Sequence, residues 1–398
     1  MMREMDFVDE CYADKDLSLL KKLTLVIPTY NRNYYLSRCL WYHAHFPFGE
    51  IIVADSSPEE KKVVNRETVQ KIREMFGANI RYLEYEPETE KYGGDIYRKW
   101  GDAVQHVETE YSVNCADKEF IISTTLCHAI DFLDENPEYI VAEGEDYKME
   151  AYSKKEIGFY PWQGVESFDA DTVEKRLIAC LDYKGIAGIQ YGVGRSECMK
   201  QIYANLIHYQ ILDIRFGETA IELQPLIFGK TKRFPNLPSN CRDVTHLKRG
   251  CLFITKKERT ESSFTRYPYL EEYPRERMQE MARNTAECFR DMWYEKEEKT
   301  IGCPKDLEEM IHNYVTPLME KRFTSYKLEK NMLKRLISLP NVWDRIPVRG
   351  QEFLSKTWGK GSISRKSPTV EMKCILRVYQ ETDQCHTDDI PIRYLLRK

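Results

Sequence analysis

The sequence has no CxxC pair, no internal repeat, no low-complexity segment and no glycine-rich phosphate loop of the dinucleotide kind. Its apolar runs also stop well short of the roughly 18 residues that a membrane span needs. Each absence removes a class of protein. The 12 cysteines, among them Cys11, Cys39, Cys115, Cys127, Cys180 and Cys198, stand singly, so reduced, half-buried thiols are expected rather than a disulfide framework or a structural zinc. Met1 to Asp16 is charged from the start and lacks the apolar core of a signal peptide, which predicts a cytoplasmic protein. An excess of basic charge is missing too. A net charge of -5 and a pI near 6.0 give no global electrostatic reason to expect nucleic acid as a partner.

What is present is an ordinary globular composition, 42% hydrophobic and 31% charged, with 12% aromatic residues, including 26 Tyr, that favour a ligand-handling surface. At 398 residues the chain exceeds what one hydrophobic core usually serves, so a main domain with an appendage is expected. Leu23 to Pro28 is a short β-branched run, followed by turn-forming Thr29, Tyr30 and Asn31 and then a helix-period stretch through Leu36, Cys39, Leu40 and His43. Apolar runs recur at Ile51 to Ala54, Ile80 to Tyr85, Tyr111 to Ala116 and Tyr139 to Ala142. Helical patterns separate them at 66–76, 95–107 and 125–135. Strands alternating with helices predict an α/β fold with a parallel sheet. Extended stretches follow at 158–163 and 186–193, helices at 172–183, 198–209 and 214–228, and a basic, turn-rich segment at 230–242.

Beyond about Gly250 strand signals almost vanish, and charged helical patterns at 275–299 and 306–339 predict an appended helical region. The expected organisation is an N-terminal extension over 1–20, a main domain over 21–250 and a helical region over 251–398. From Asn331 to Ser367 eight Lys or Arg face two Asp or Glu, interleaved with Trp343, Phe353 and Trp358. Such a tail suits peripheral contact with the anionic inner face of a membrane, or a solvated basic surface.

In an open parallel sheet, ligands bind beyond the carboxyl ends of the strands. Three such ends carry polar groups here: Pro28, Thr29, Tyr30, Asn31 and Arg32 after the first strand, Asp55 after the second, and Asp117, Lys118 and Glu119 after the fourth. A short loop opening a helix presents backbone N–H groups and Arg32 to phosphates, and an aspartate accepts a hydrogen bond from a base or ribose. Two acids one residue apart on a turn suit a divalent cation, Mg²⁺ or Mn²⁺, held against a diphosphate.

In this order and at these intervals, LTLVIPTYNR (23–32), EIIVADSS (50–57) and an acidic motif closing the strand at 111–119 resemble the family-two type of GT-A-fold glycosyltransferases. The sequence is similar in particular to a prokaryotic branch with a Lys-bearing helix, a Thr-x-Tyr step, an acidic triplet and a Leu-x-x-Asn-Pro-x-Tyr segment. These stand here as Lys99, Thr109-Glu110-Tyr111, Asp117-Lys118-Glu119-Phe120 and Leu133 to Tyr139. The resemblance spans about residues 20 to 250. It implies a GT-A-like, mostly parallel sheet flanked by helices and an enzyme that transfers a sugar from a nucleotide-sugar donor to a glycan, lipid-linked or other hydroxyl acceptor. Cell-envelope glycan or glycoconjugate assembly is the associated setting.

The same resemblance implies that Thr29, Tyr30, Arg32 and Asp55 frame the nucleotide, that Lys99 lies near the donor, and that Asp117 and Glu119 form the metal motif. The branch usually has Asp at the third triplet position. Glutamate still ligates a hard cation through oxygen, so metal use stays the expectation, with direct neutralisation of the diphosphate by Lys118 as the metal-sparing alternative. A glutamate in a helix ending in Gly-Lys matches Glu222 as the general base of an inverting transfer, with Glu218 one turn earlier on the same face. A Gly-x-x-Arg step places Arg195 near the acceptor or diphosphate. Arg242 and His246 are expected to close over the donor, His246 as an extra metal ligand. Two rivals are weighed: a sugar nucleotidylyltransferase, which needs a glycine-rich basic loop that Pro28 to Arg32 does not supply, and a non-catalytic sugar-binding module, supported only by the altered triplet.

Overall fold

A computed structural model describes residues 7–87, 94–153, 156–161, 166–182, 189–243, 275–296 and 370–383. The calls on His246 and on the basic tail at 331–367, with its membrane contact, fall outside these residues.

The first half of the chain alternates β1 (Leu23–Thr29), α2 (Asn33–His43), β2 (Glu50–Asp55), α3 (Glu59–Phe76), β3 (Ile80–Glu84), α4 (Gly94–Gln105) and β4 (Tyr111–Asn114), after a short α1 (Phe7–Tyr12). There follow β5 (Glu119–Ile121), α5 (Ser123–Glu135), β6 (Tyr139–Ser153), β7 (Glu156–Pro161), α6 (Val173–Asp182), β8 (Val193–Arg195), α7 (Ser196–His208), α8 (Ile214–Phe228) and β9 (Lys230–Asp243). The helices α9 (Arg275–Lys296) and α10 (Val370–Asp383) complete the described elements.

One sheet runs in the order β3-β2-β1-β4-β8-β6-β9-β5, with β7 paired to β6. Its β3-β2-β1-β4 half is parallel throughout. Beyond β4 the pairing is mixed: β8 is antiparallel to both neighbours, β6 and β9 are parallel, and β5 and β7 are antiparallel to their partners. This is an α/β architecture in which helices flank a single sheet.

The apolar runs of β1 and β2 make central strands because both faces of the sheet are covered. Alternate side chains divide between two cores: Leu25, Ile27, Ile51 and Val53 enter one, and Val26, Ile52 and Ala54 enter the other. Helices α2 and α5 build the first core, and α4, α7 and α8 the second. Every residue of α2 is buried, which accounts for its aromatic density, and its Arg38 lies 5.1 Å over the Phe120 ring of β5.

Val8 and Tyr12 of α1 join Met372, Ile375 and Val378 of α10 in the first core, while Met281, Phe289 and Met292 of α9 enter the second core. The segment read as basic and turn-rich at 230–242 is the strand β9. Its prolines and polar residues argue against a strand locally, but β6 and β5 flank it and fix its backbone, with register shifts between Glu143 and Asp146 where it passes Pro238. Among the described residues no helix is long and apolar enough to cross a membrane.

Candidate functional site

At the carboxyl end of β1 the chain turns sharply. Asn31 adopts a left-handed conformation (φ 57°), which an asparagine tolerates better than most residues, and its N–H donates to Ser57 Oγ at 2.7 Å. The β1 and β2 ends are thereby tied together, and Lys99 from α4 reaches across to donate to Thr29 O (2.9 Å) and Ser56 Oγ (2.7 Å). Burial pushes the Lys99 ammonium down to about 7, against the opposing pull of Asp55 and Asp117.

Next to β1 the β4–β5 turn delivers the acidic triplet. Asp117 accepts from Thr29 Oγ1 at 2.9 Å and from Arg32 at 3.0 Å. Glu119 accepts from Asn240 Nδ2 at 3.0 Å, and its other oxygen lies 2.5 Å from Arg242 Nε, its register partner on β9. Burial works against charge on Arg242, yet Glu119, Tyr191 and Asp146 together keep its guanidinium firmly protonated. The same guanidinium stands 4.8 Å over the Tyr191 ring.

These groups surround a pocket of about 210 Å³. It gathers Pro28, Thr29, Tyr30, Arg32, Lys99, Asp117, Lys118, Glu119, Glu218 and Arg242, ten of the residues singled out in the sequence. Besides Ala116 next to the triplet, Ile96, Tyr97 and Trp100 from α4, with Gln190 and Tyr191 from the short turn before β8, complete its walls. Sequence reading missed these five, although Ile96 lies one helical turn before both Lys99 and Trp100. Gly217 has a positional role here. A Cβ there would stand 2.4 Å from the Tyr97 ring, so the glycine lets α8 approach α4 with Glu218 at the pocket.

Three expected residues lie elsewhere. Asp55 is fully buried behind the pocket, where it accepts from Ser57 N (2.8 Å), Asn65 Nδ2 (2.7 Å) and Tyr82 OH (2.5 Å). Arg195 donates to the backbone carbonyls of Leu133, Asn136 and Tyr139, closing the end of α5, a task set by orphan helix carbonyls rather than by a ligand. Glu222 is 5% exposed and absent from the pocket wall; one turn along α8 from Glu218, it adds negative potential to the buried Glu143.

That second buried cluster was not foreseen, because the strand at Tyr139 was expected to stop at Ala142. Glu143 pairs with Arg233 of β9, yet burial pushes its carboxyl up to about 8, with Arg233 opposing. Asp146 is 1% exposed, neither of its oxygens has a hydrogen-bond partner among the described residues, and burial raises it to about 6 despite Arg233 and Arg242. The available signal was an acidic run, Glu143, Glu145 and Asp146, inside an extended stretch.

Cys39, His43 and Cys115 also converge, with the two sulfurs 3.9 Å apart. They do not suit a metal. His43 Nε2 accepts from Ile121 N (3.2 Å), which leaves the proton on Nδ1, where it is donated to Cys39 O (2.8 Å), so neither nitrogen offers a lone pair.

No family model matches this sequence, and no curated protein does. Among solved structures, S. aureus TarS aligns at 14% identity and a TM-score of 0.42 over 78% of this chain and 53% of TarS, so the chain spans about half that structure's length. S. aureus TarS 1-349 in complex with UDP-GlcNAc aligns at 13% identity and a TM-score of 0.40, covering 87% of this chain and 94% of the other. The mannosyltransferase PcManGT from Pyrobaculum calidifontis, in complex with GDP-Man and Mn²⁺, aligns at 12% identity and a TM-score of 0.36, covering 85% and 88%. Likenesses this distant carry no inference about chemistry, which rests on the pocket.

Proposed function

We propose that the chain is a nucleotide-sugar-dependent glycosyltransferase that transfers a sugar to a hydroxyl acceptor with inversion. The observation that carries this reading is the pocket beyond β1 and β4, which Arg32, Lys99, Lys118 and Arg242 line together with a carboxylate, Glu218, from a separate helix. Cations in such a pocket suit a diphosphate, and a carboxylate lining it suits a hydroxyl proton.

In the proposed reaction Glu218 accepts the acceptor hydroxyl's proton while the acceptor oxygen bonds to the sugar's anomeric carbon. The bond from that carbon to the diphosphate oxygen breaks, and the electron pair leaves with the diphosphate. Arg32, Lys118 and Arg242 stabilise the charge that develops there. Tyr97, Trp100 and Tyr191 give the sugar or base flat apolar surfaces. Asp117 and Glu119, expected as the metal motif, do not fit that role, because both carboxylates are already engaged by guanidinium groups.

A thermal-shift screen across UDP-, GDP-, CMP- and dTDP-sugars tests the reading. Stabilisation tracks ligand occupancy, so one nucleotide class should raise the melting temperature. Failure of every donor to do so, together with no release of nucleoside diphosphate on prolonged incubation, overturns the proposal.

A further inference from the structure

The two acids of the triplet are almost inaccessible, with side-chain exposures of 3% for Asp117 and 1% for Glu119, whereas their partners Arg32 and Arg242 retain 19% and 18%. All four residues line the pocket, and in each pair the guanidinium carries more of the exposed surface than the carboxylate does. Both oxygens of Asp117 accept hydrogen bonds, one from Thr29 and one from Arg32. Glu119 accepts a hydrogen bond from Asn240 with one oxygen and is ion-paired with Arg242 through the other.

A Mg²⁺ or Mn²⁺ ion needs oxygen ligands at about 2.0–2.2 Å in a near-octahedral shell. Here it would have to expel two guanidinium groups and bury two carboxylates in their new pairing, next to Lys118. Arginine held by a fixed carboxylate is the better-formed element, because the planar fork is oriented in advance for phosphate oxygens.

We infer that the triplet holds no divalent cation: Asp117 and Glu119 buttress Arg32 and Arg242, and these arginines with Lys118 clamp the donor's diphosphate directly. The inference rests on the nucleotide-sugar reading above and names the groups that bind within that site. Asp117 and Glu119 are then positioning residues, acting through the arginines they orient.

Calorimetric titration of the full chain with UDP, GDP and dTDP, in EDTA and in millimolar MnCl₂, tests it. The expected result is a dissociation constant in EDTA within about threefold of that in Mn²⁺, and a loss of about tenfold or more in EDTA for Arg32→Ala and Arg242→Ala. Arg32→Lys and Arg242→Lys should recover part of that loss, and circular dichroism melting shows whether each variant is folded. Binding that appears only with Mn²⁺ overturns the inference while leaving the nucleotide reading intact. So does loss of binding in folded Asp117→Asn or Glu119→Gln when both arginine-to-alanine variants bind normally. Absence of binding by all three diphosphates in either condition overturns this inference, and a thermal-shift response to a CMP-sugar would show that the nucleotide-sugar reading survives it.

Discussion

Replacement of Asp55 separates a ligand-binding role from a structural one. Its carboxylate lies at the end of β2, where a bound nucleotide was expected, but three internal donors already converge on it: the Ser57 N–H, the Asn65 amide and the Tyr82 hydroxyl. Ser57 and Asn65 are fully buried, so Asp55→Ala strands two donors away from water, while the half-buried Tyr82 can recover part of its loss. At about 1–3 kcal/mol for each of the two stranded donors, and less for Tyr82, the variant should lose roughly 2–6 kcal/mol of stability. For a domain of this size that lowers the melting temperature by on the order of 10 °C. Thermal melting and urea titration measure the change directly. Asn65→Ala made in the Asp55→Ala background should cost less than in the parent, because the two residues share one interaction. The reasoning fails if Asp55→Ala melts within about 2 °C of the parent yet loses about tenfold or more in nucleotide affinity, since the carboxylate would then be reaching the ligand.

Glu218→Gln should lower transfer by about 10²–10⁴-fold with donor binding retained, whereas Glu222→Gln should keep turnover; single-turnover kinetics that give the reverse order would return the base to Glu222. Lys99 has a folded pKa of about 7, below its ordinary 10.5, so its burial costs stability in full below pH 7 and less as the pH rises toward 10.5. Lys99→Met should therefore stabilise the protein most at pH 6 and least at pH 10, and melting curves across that range show it. Asp146 is raised from 3.8 to about 6, so its charge destabilises the fold fully above pH 6 and not at all below pH 3.8. Asp146→Asn should accordingly raise the melting temperature at pH 8 and leave it unchanged near pH 4; equal effects at both would point to packing instead.

The sequence determined the features that local pattern encodes. The run Leu23 to Pro28, the turn after it and the helical spacing of Leu36, Leu40 and His43 specify β1, its loop and α2. Two-sided burial of a parallel strand leaves a continuous apolar run, and a buried helix leaves apolar residues on its turns. The acidic triplet and Arg32 could be assigned to one edge of the sheet for the same reason, since each follows a strand and the carboxyl ends of parallel strands lie on the same side. Only the tertiary structure decided what those groups touch. Glu119 meets Arg242 through a β5–β9 register in which the partners are far apart in sequence, and Glu143 meets Arg233 by a similar pairing of β6 with β9. Asp55 points at Asn65 and Tyr82, and the choice between Glu218 and Glu222 depends on how α8 is turned against α4, which Gly217 permits. These are outcomes of strand register and helix rotation. Both are fixed by packing summed over many distant contacts, and a spacing of residues along the chain does not contain that sum.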